Sequence, residues 1–142
     1  MIRACPACGT KNRIPAAHLA DQGSCGRCHE ALPALDVPLD VDSATFDEVT
    51  RDAKVPVLVD FWAGWCAPCR AAAPHVKAVA HEMKGRALVL KVDTEANPQV
   101  AARFGVRGIP NFLVMKDGHP VSQQAGLVDA ATMAGWLRAA GA

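Results

Sequence analysis

Six cysteines, arranged as three Cys-x-x-Cys pairs, constrain the fold of this chain more than any other feature of its sequence. The first two pairs, Cys5 with Cys8 and Cys25 with Cys28, are separated by sixteen residues, which is a zinc-ribbon spacing. Each pair lies beside a glycine or a proline, which permits the tight turn that directs two sulfurs at one ion. Four thiolates make a closed tetrahedral zinc site, and such sites are usually structural. We therefore predict that these four cysteines hold one Zn²⁺ in a small domain over residues 1–35.

The second pair has other possible uses, because the segment "SCGRCHE" contains the Cys-x-x-Cys-His pattern that can attach c-type haem. Haem attachment would take place outside the cytosol, and the partner pair at zinc spacing also argues against it, so we expect no haem. Two alternatives stay open: His29 could replace one cysteine as a zinc ligand, or the two pairs could form redox disulfides. A segment of 35 residues is short enough that it usually needs a metal or disulfides to fold.

The rest of the chain, residues 36–142, alternates buried strands with helices. Continuous apolar, β-branched runs predict strands that are buried on both faces, and a Lys-Asp-Gly turn predicts a hairpin. The expected fold class is α/β, with a central mixed sheet flanked by helices. The predicted strands lie in 55–63, 87–93 and the hairpin 111–126, and the predicted helices in 43–53, 69–85, 97–105 and 129–142, with N-caps at Asp42 or Ser43, Asn97 and Asp129.

Charge and hydropathy exclude several classes of function. The net charge is +1, which gives no general attraction to nucleic acid or to a membrane surface. The four basic residues of the N-terminal segment have no interleaved aromatic residues, so nucleic-acid binding is not expected. No apolar run reaches the ~18 residues of a membrane helix, and the N-terminus lacks the apolar core of a signal peptide. These features predict a cytoplasmic protein, in which Cys-x-x-Cys pairs bind metals or perform catalysis rather than forming structural disulfides.

The third pair, Cys66 and Cys69, lies where a buried strand passes into a helix. Free backbone N–H groups and the positive end of the helix dipole favour a thiolate there, and the thiolate is the reactive form of cysteine. Cys69 follows one helical turn later, close enough to form a disulfide with Cys66. We predict that Cys66 attacks a substrate disulfide and that Cys69 resolves the mixed disulfide. Half of a zinc site is the alternative, but no further ligands occur at suitable spacing.

Asp60 is an acid inside the buried strand "VLVDFW". Carboxylates are rarely buried without a reason, and burial raises the pKa of a carboxyl group into the range of a general acid or base near neutral pH. The alternative is that Asp60 only satisfies backbone groups at the end of the strand. We predict a role in proton transfer.

The segment "VLVDFWAGWCAPCRAAAP" resembles the active-site block of the thioredoxin family, and the resemblance extends over about residues 38–140. It also includes the isolated positions Lys91, Asp93, Pro110 and Gly126. The four-cysteine segment in front resembles that of the two-domain, zinc-containing bacterial thioredoxins of the thioredoxin 2 type. Two positions depart from the usual family pattern, since Ala67 replaces a glycine between the cysteines and Asn111 replaces a threonine after the proline.

The resemblance implies a role for each matching residue. Cys66 would be the exposed nucleophile and Cys69 the buried resolving cysteine. Asp60 would transfer a proton to or from Cys69 through a buried water, with Lys91 nearby. A cis peptide bond before Pro110 would set Ile109 against the disulfide, where its backbone could pair with an extended substrate. The substrate-binding surface would comprise Trp65, Pro68, Gly108, Ile109 and Gly126.

These features together predict a thiol–disulfide oxidoreductase that reduces disulfide-containing proteins. The resemblance also implies recycling by a flavin-dependent thioredoxin reductase, so the chain itself is expected to bind no flavin. Two alternatives remain: a zinc-dependent peptide-binding holdase or adaptor that uses the same groove, and an oxidant or isomerase, which the reduction potential of the Cys66–Cys69 pair would distinguish.

Overall fold

The computed structural model describes residues 1–142. Its N-terminal segment consists of two small antiparallel pairs of strands on either side of a 3-10 helix at Ala16–His18. This arrangement presents the first two Cys-x-x-Cys pairs at the turns of the two strand pairs. The strands are β1 (Ile2–Ala4), β2 (Lys11–Arg13), β3 (Gly23–Ser24) and β4 (Ala31–Leu32).

A five-stranded mixed sheet organises the remainder of the chain, in the order β5-β7-β6-β8-β9. The first three strands of this order are parallel, and the last two form an antiparallel hairpin. The predicted α/β architecture is therefore confirmed. The strands are β5 (Leu39–Asp40), β6 (Val57–Trp62), β7 (Leu88–Asp93), β8 (Asn111–Lys116) and β9 (His119–Ala125), and the helices are α1 (Ser43–Asp52), α2 (Ala67–Glu82), α3 (Pro98–Arg103) and α4 (Ala130–Ala139).

The two faces of the sheet bury two separate apolar clusters, because successive side chains of a strand point in opposite directions. In β6, Val57, Val59 and Phe61 pack with α1 and α3, whereas Leu58 packs with α2 and α4. Asp60 is two residues from Leu58 and therefore lies on the α2 face. The acid of the buried strand is thus directed towards the helix that carries Cys69.

Side-chain caps confirm two of the three predicted helix starts. The Asp42 carboxylate accepts a hydrogen bond from the Thr45 N–H at 2.9 Å, and Asp129 accepts one from Thr132 at 2.9 Å. The predicted N-cap position of α3 is also confirmed, since Asn97 directly precedes the helix, but its side chain makes no capping hydrogen bond. Its amide instead donates to the backbone carbonyl of Asp93, which ties the start of α3 to the end of β7.

The N-terminal segment packs directly on the sheet domain. Ala16 and Leu19 are 3% and 1% exposed, and they belong to the same apolar cluster as Phe46 and Val49 of α1. At the C-terminal end of α2, a Cβ at Gly85 would lie 3.8 Å from the carbonyl oxygen of Ala20. The core beneath α1 is therefore built in part from residues of the first 35.

None of the helices combines the length and the apolar character that a membrane crossing needs.

Candidate active site and metal centre

Cys66 and Cys69 form a disulfide at the start of α2, with Cα atoms 5.2 Å apart. Cys66 is the N-cap residue of the helix, and its Sγ accepts a hydrogen bond from the backbone N–H of Cys69 at 3.2 Å. A free N–H group of the first helical turn therefore points at the sulfur that was predicted to attack. The same donor stabilises negative charge on that sulfur after reduction.

The prediction that Cys66 is exposed is wrong for the disulfide form of the protein. Cys66 is 2% exposed and Cys69 5% exposed, so both sulfurs are covered. The Sγ of Cys66 lies 3.7 Å from the carbonyl oxygen of Ile109, and Trp62 and Ile109 pack against the pair. The loop before β8, which contains Ile109, therefore contributes to covering the disulfide.

That loop contains the cis peptide bond between Ile109 and Pro110. Pro110 is buried, Ile109 is half-buried beside the disulfide, and the carbonyl of Pro110 accepts the N–H of Gly126 at 2.8 Å. Gly126 has φ +102°, which explains the glycine, since L side chains rarely adopt that conformation. Ile109 thus lies beside Cys66, and a backbone hydrogen bond joins the neighbouring Pro110 to Gly126.

The remaining predicted contact residues lie on the surface around the pair. Trp65 is 67% exposed, the largest exposed fraction among the exposed large apolar residues of the chain. Pro68 and Gly108 are also exposed, and no atom lies within 4 Å of a Cβ placed at Gly108. Close packing therefore does not account for the glycine at position 108.

Two residues of this surface were not predicted from the sequence. The Trp65 indole N–H donates to the Glu95 carboxylate at 2.7 Å, which holds the exposed ring in place. Leu127, directly after Gly126, is 52% exposed and adds apolar area on that side. Glu95 had a usable signal, because it follows β7 and the carboxyl ends of parallel neighbours share one edge of a sheet. Leu127 had none beyond its position after Gly126.

Asp60 is 2% exposed, and its Oδ1 atom has no hydrogen-bond partner. Burial raises the pKa of this carboxyl to about 7, the positive charge of Lys91 opposes the shift, and the negative charge of Asp40 adds to it. Asp60, Cys69 and Lys91 line one cavity of about 90 Å³. The Lys91 ammonium lies 4.6 Å from the centroid of the Trp62 ring. The resemblance implied that Lys91 lies near Asp60, and both side chains line this cavity together with Cys69.

The raised pKa of Asp60 predicts a pH-dependent stability effect for the Asp60→Asn variant of the disulfide form. The folded state binds the Asp60 proton more tightly than the unfolded state, so wild-type stability falls as pH rises from about 4 to about 7 and stays lowered above that. Removing the carboxylate should therefore stabilise the protein at pH 8 by roughly 2–4 kcal/mol. Urea unfolding at pH 8 and at pH 4 measures this, and the gain should shrink at pH 4. An equal difference at both pH values would contradict the prediction.

Cys5, Cys8, Cys25 and Cys28 form one cluster, in which all four Sγ atoms lie within 4.8 Å of one another. The Sγ atoms of Cys5 and Cys28 are 3.6 Å apart, and those of Cys8 and Cys25 are 3.7 Å apart. Backbone N–H groups of Cys28 and Arg27, together with the Asn12 amide, lower the pKa of Cys25 to about 5. Four convergent sulfurs with donors directed at them form a site that can hold a metal ion.

The two N-terminal Cys-x-x-Cys turns share a backbone hydrogen bond and a residue with positive φ at the same position. The N–H of Gly9 donates to the carbonyl of Cys5 at 2.8 Å, and the N–H of His29 donates to that of Cys25 at 3.0 Å. Both donor residues have positive φ, +74° for Gly9 and +63° for His29. His29 therefore occupies the turn position that glycine holds in the first pair, and its ring is not a member of the sulfur cluster.

This equivalence predicts that His29→Gly retains the metal and stabilises the N-terminal segment. The gain should be about 1 kcal/mol, because a left-handed backbone costs an L residue roughly that much. Competition with a chromogenic chelator measures metal retention, and Gly9→His provides the matched opposite, which should lose metal more readily. A large loss of metal from His29→Gly would instead make His29 a ligand.

Comparison with known proteins covers both parts of the chain. The family model described as Thioredoxin matches residues 37–139, and that described as Thioredoxin 2, N-terminal matches residues 4–30. Thioredoxin C-3 of Corynebacterium nephridii is 39% identical over 137 residues, which cover 96% of this chain and 93% of that protein. Thioredoxin 1 of Nostoc sp. is 45% identical over 93 residues, covering 66% of this chain and 87% of that protein.

A solved structure gives the same result for the sheet domain. A mutant thioredoxin from Halobacterium salinarum NRC-1 superposes with a TM-score of 0.68 and is 36% identical in sequence. The superposition covers 73% of this chain and 90% of that one.

Proposed function

This chain belongs to the thioredoxin family and is a disulfide oxidoreductase, and we propose that Cys66 and Cys69 reduce disulfides in protein substrates and are themselves re-reduced by a flavin-dependent thioredoxin reductase. The observation that carries the proposal is the position of the disulfide. It lies at the N-terminus of α2, where the Cys69 N–H donates to the Cys66 sulfur. It also lies beside the Ile109–Pro110 loop, which can receive an extended peptide.

The reaction transfers two electrons from the reduced protein to the substrate. The Cys66 thiolate attacks one sulfur of the substrate disulfide, the substrate S–S bond breaks, and the departing thiolate takes up a proton. Cys69 then loses its proton and attacks the Cys66 sulfur, which releases the second substrate thiolate to be protonated. The products are a substrate dithiol and the Cys66–Cys69 disulfide.

Asp60 is the group that accepts the Cys69 proton in this proposal. Its support is that Asp60 and Cys69 line the same cavity and that burial raises the pKa of Asp60 to about 7. A carboxyl group with that pKa can both take and return a proton near neutral pH. Lys91, on the wall of the same cavity, stabilises the ionised form of Asp60.

The substrate-binding surface in this proposal is the apolar rim around the disulfide. The exposed Trp65 ring, held by Glu95, forms one part, and Leu127 beside Gly126 adds another. Pro68 and Gly108 complete the exposed surface near the pair. An extended substrate segment would pair with the backbone of Ile109, which presents the substrate disulfide to Cys66.

We infer that the metal of the N-terminal cluster is one Zn²⁺ ion bound by Cys5, Cys8, Cys25 and Cys28. A tetrahedron with Zn–S distances of about 2.3 Å has S–S edges of about 3.8 Å. The two short sulfur pairs of the cluster, at 3.6 and 3.7 Å, are close to that edge. Bound zinc supplies folding energy to a segment with little core of its own, and four sulfur ligands leave no position for a substrate.

We also assign residues 1–35 to a metal-dependent domain, residues 36–142 to the redox domain, and the whole protein to the cytoplasm. The first assignment is supported by the confinement of all four cluster cysteines to the first segment. The assignment to the cytoplasm is supported by the clustering of these cysteines, because Cys-x-x-Cys pairs in a reducing compartment bind metals rather than forming structural disulfides.

Insulin reduction tests the redox proposal directly. The wild-type protein, supplied with a thioredoxin reductase and its nicotinamide cofactor, should cleave the interchain disulfides of insulin and produce turbidity as the B chain precipitates. Turnover that is no faster than with the reductase alone would overturn the proposal.

A further inference from the structure

Three charged residues form one row across the parallel part of the sheet. Asp40 of β5 is the register partner of Lys91 in β7, and Lys91 is the partner of Asp60 in β6. Leu39, next to Asp40, packs into the cluster on the α1 face, whereas Val89, two residues before Lys91, packs on the α2 face. All three charged side chains therefore share the α2 face, in the order carboxylate, ammonium, carboxylate.

The row runs from solvent to the buried acid. Asp40 is exposed, Lys91 is half-buried, and Asp60 is 2% exposed. Two cavities follow the same path: the inner one, of about 90 Å³, contacts Asp60 and Cys69, and the outer one, of about 260 Å³, contacts Asp40 and Lys77. Lys91 and Ala73 line both cavities, so Lys91 forms part of the boundary between the buried acid and the surface.

We propose that Asp40 is a positioning residue of the disulfide exchange, whose negative charge at the solvent end of the row competes with Asp60 for the positive charge of Lys91. Without a negative charge at the surface, the Lys91 ammonium would stabilise the Asp60 carboxylate alone. With Asp40 present, one positive charge is shared between two carboxylates, and the buried one is stabilised less. The inference rests on the proton-transfer role proposed for Asp60.

No group around Asp60 other than Asp40 carries a negative charge that could compete for Lys91. On β8 its register partner is Phe112, which does not titrate. On α2 the inner cavity is lined by Cys69 and Arg70, and the outer one by Lys77. The Arg70 guanidinium donates a hydrogen bond to the backbone carbonyl of Gly64 at 2.8 Å. Asp40 is thus the only other carboxylate that lines either cavity, and its negative charge adds to the raised pKa of Asp60.

The test is a titration of the Asp60 carboxyl by ¹³C NMR in the full-length disulfide form, with its signal assigned by its loss in Asp60→Asn. In Asp40→Asn, the Asp60 midpoint should fall by about half a pH unit, the size expected for a unit charge two strands away and partly screened by solvent. Asp40→Glu should restore most of the shift. Asp36→Asn is the matched control, because Asp36 lies four residues earlier, pairs with His81 and borders neither cavity.

An Asp60 midpoint that does not move in Asp40→Asn, or that moves equally in Asp36→Asn, would overturn the inference. A merely structural role for Asp40 predicts a lower melting temperature and an unchanged midpoint, which is also a contrary result. The proton-transfer proposal fails separately: it is overturned if Asp60→Asn resolves mixed disulfides as fast as wild type. The two failures are therefore distinguishable.

Discussion

Replacing Cys66 with serine is expected to reduce the rate of insulin reduction by roughly 10³-fold or more. A serine hydroxyl is not ionised near neutral pH and cannot form a mixed disulfide, so the first step of the exchange is lost entirely. The fold should survive, because Cys66 contributes an N-cap and serine is a good N-cap residue. The measurement is insulin turbidity with excess dithiothreitol as electron donor, corrected for the rate without protein.

Cys69→Ser separates the attacking sulfur from the resolving one. This variant keeps Cys66 and its position at the start of α2, so it should attack substrate disulfides once and then remain bound to the substrate. Intact-protein mass spectrometry should find a stable covalent adduct with a peptide disulfide for Cys69→Ser and none for Cys66→Ser. If the adduct formed on Cys69 in the Cys66→Ser variant instead, the two roles would have to be exchanged.

Loss of one metal ligand is the second large effect. Cys25 has no exposed surface, and its sulfur lies 3.7 Å from that of Cys8. Cys25→Ser should lower the zinc content from about one ion per chain to a small fraction of one. It should also unfold the N-terminal segment, because metal binding in small zinc domains is worth about 10–16 kcal/mol and constitutes most of their folding energy.

Elemental analysis after purification under reducing conditions measures the zinc, and hydrogen exchange of residues 1–35 measures the unfolding. Ser24→Ala is the matched control, since Ser24 is the exposed neighbour of Cys25 and is not one of the four clustered residues. Wild-type protein that contains no metal, or a different metal, would contradict the zinc assignment. Full metal content in Cys25→Ser would contradict the ligand assignment.

Local sequence patterns predicted most of the sheet domain, because the residues of each strand and helix favour that structure by themselves. The continuous apolar run around Val59 indicates a strand that is buried on both faces. The N-cap residue Asp129 indicates a helix start without reference to the rest of the chain. The redox site was equally predictable, since the strand, the Cys66–Cys69 pair and the helix are continuous in sequence.

The features that escaped prediction depend on contacts between distant residues. Glu95 meets Trp65 only because β7 and β6 are neighbours, and Ile109, which helps to cover Cys66, is 43 residues away from it in the sequence. Leu19 is the clearest case. A leucine in a cysteine-rich segment gives no local signal that it belongs to the core beneath Phe46.

The placement of the N-terminal segment along α2 limits which partner proteins can meet both sites at once. Cys66 precedes the first residue of α2, whereas Ala20 of the N-terminal segment lies beside Gly85, just beyond the last residue of the helix. A helix of 16 residues is about 24 Å long. A partner that follows α2 from Cys66 must therefore extend about 24 Å before it reaches Ala20 of the metal-binding segment.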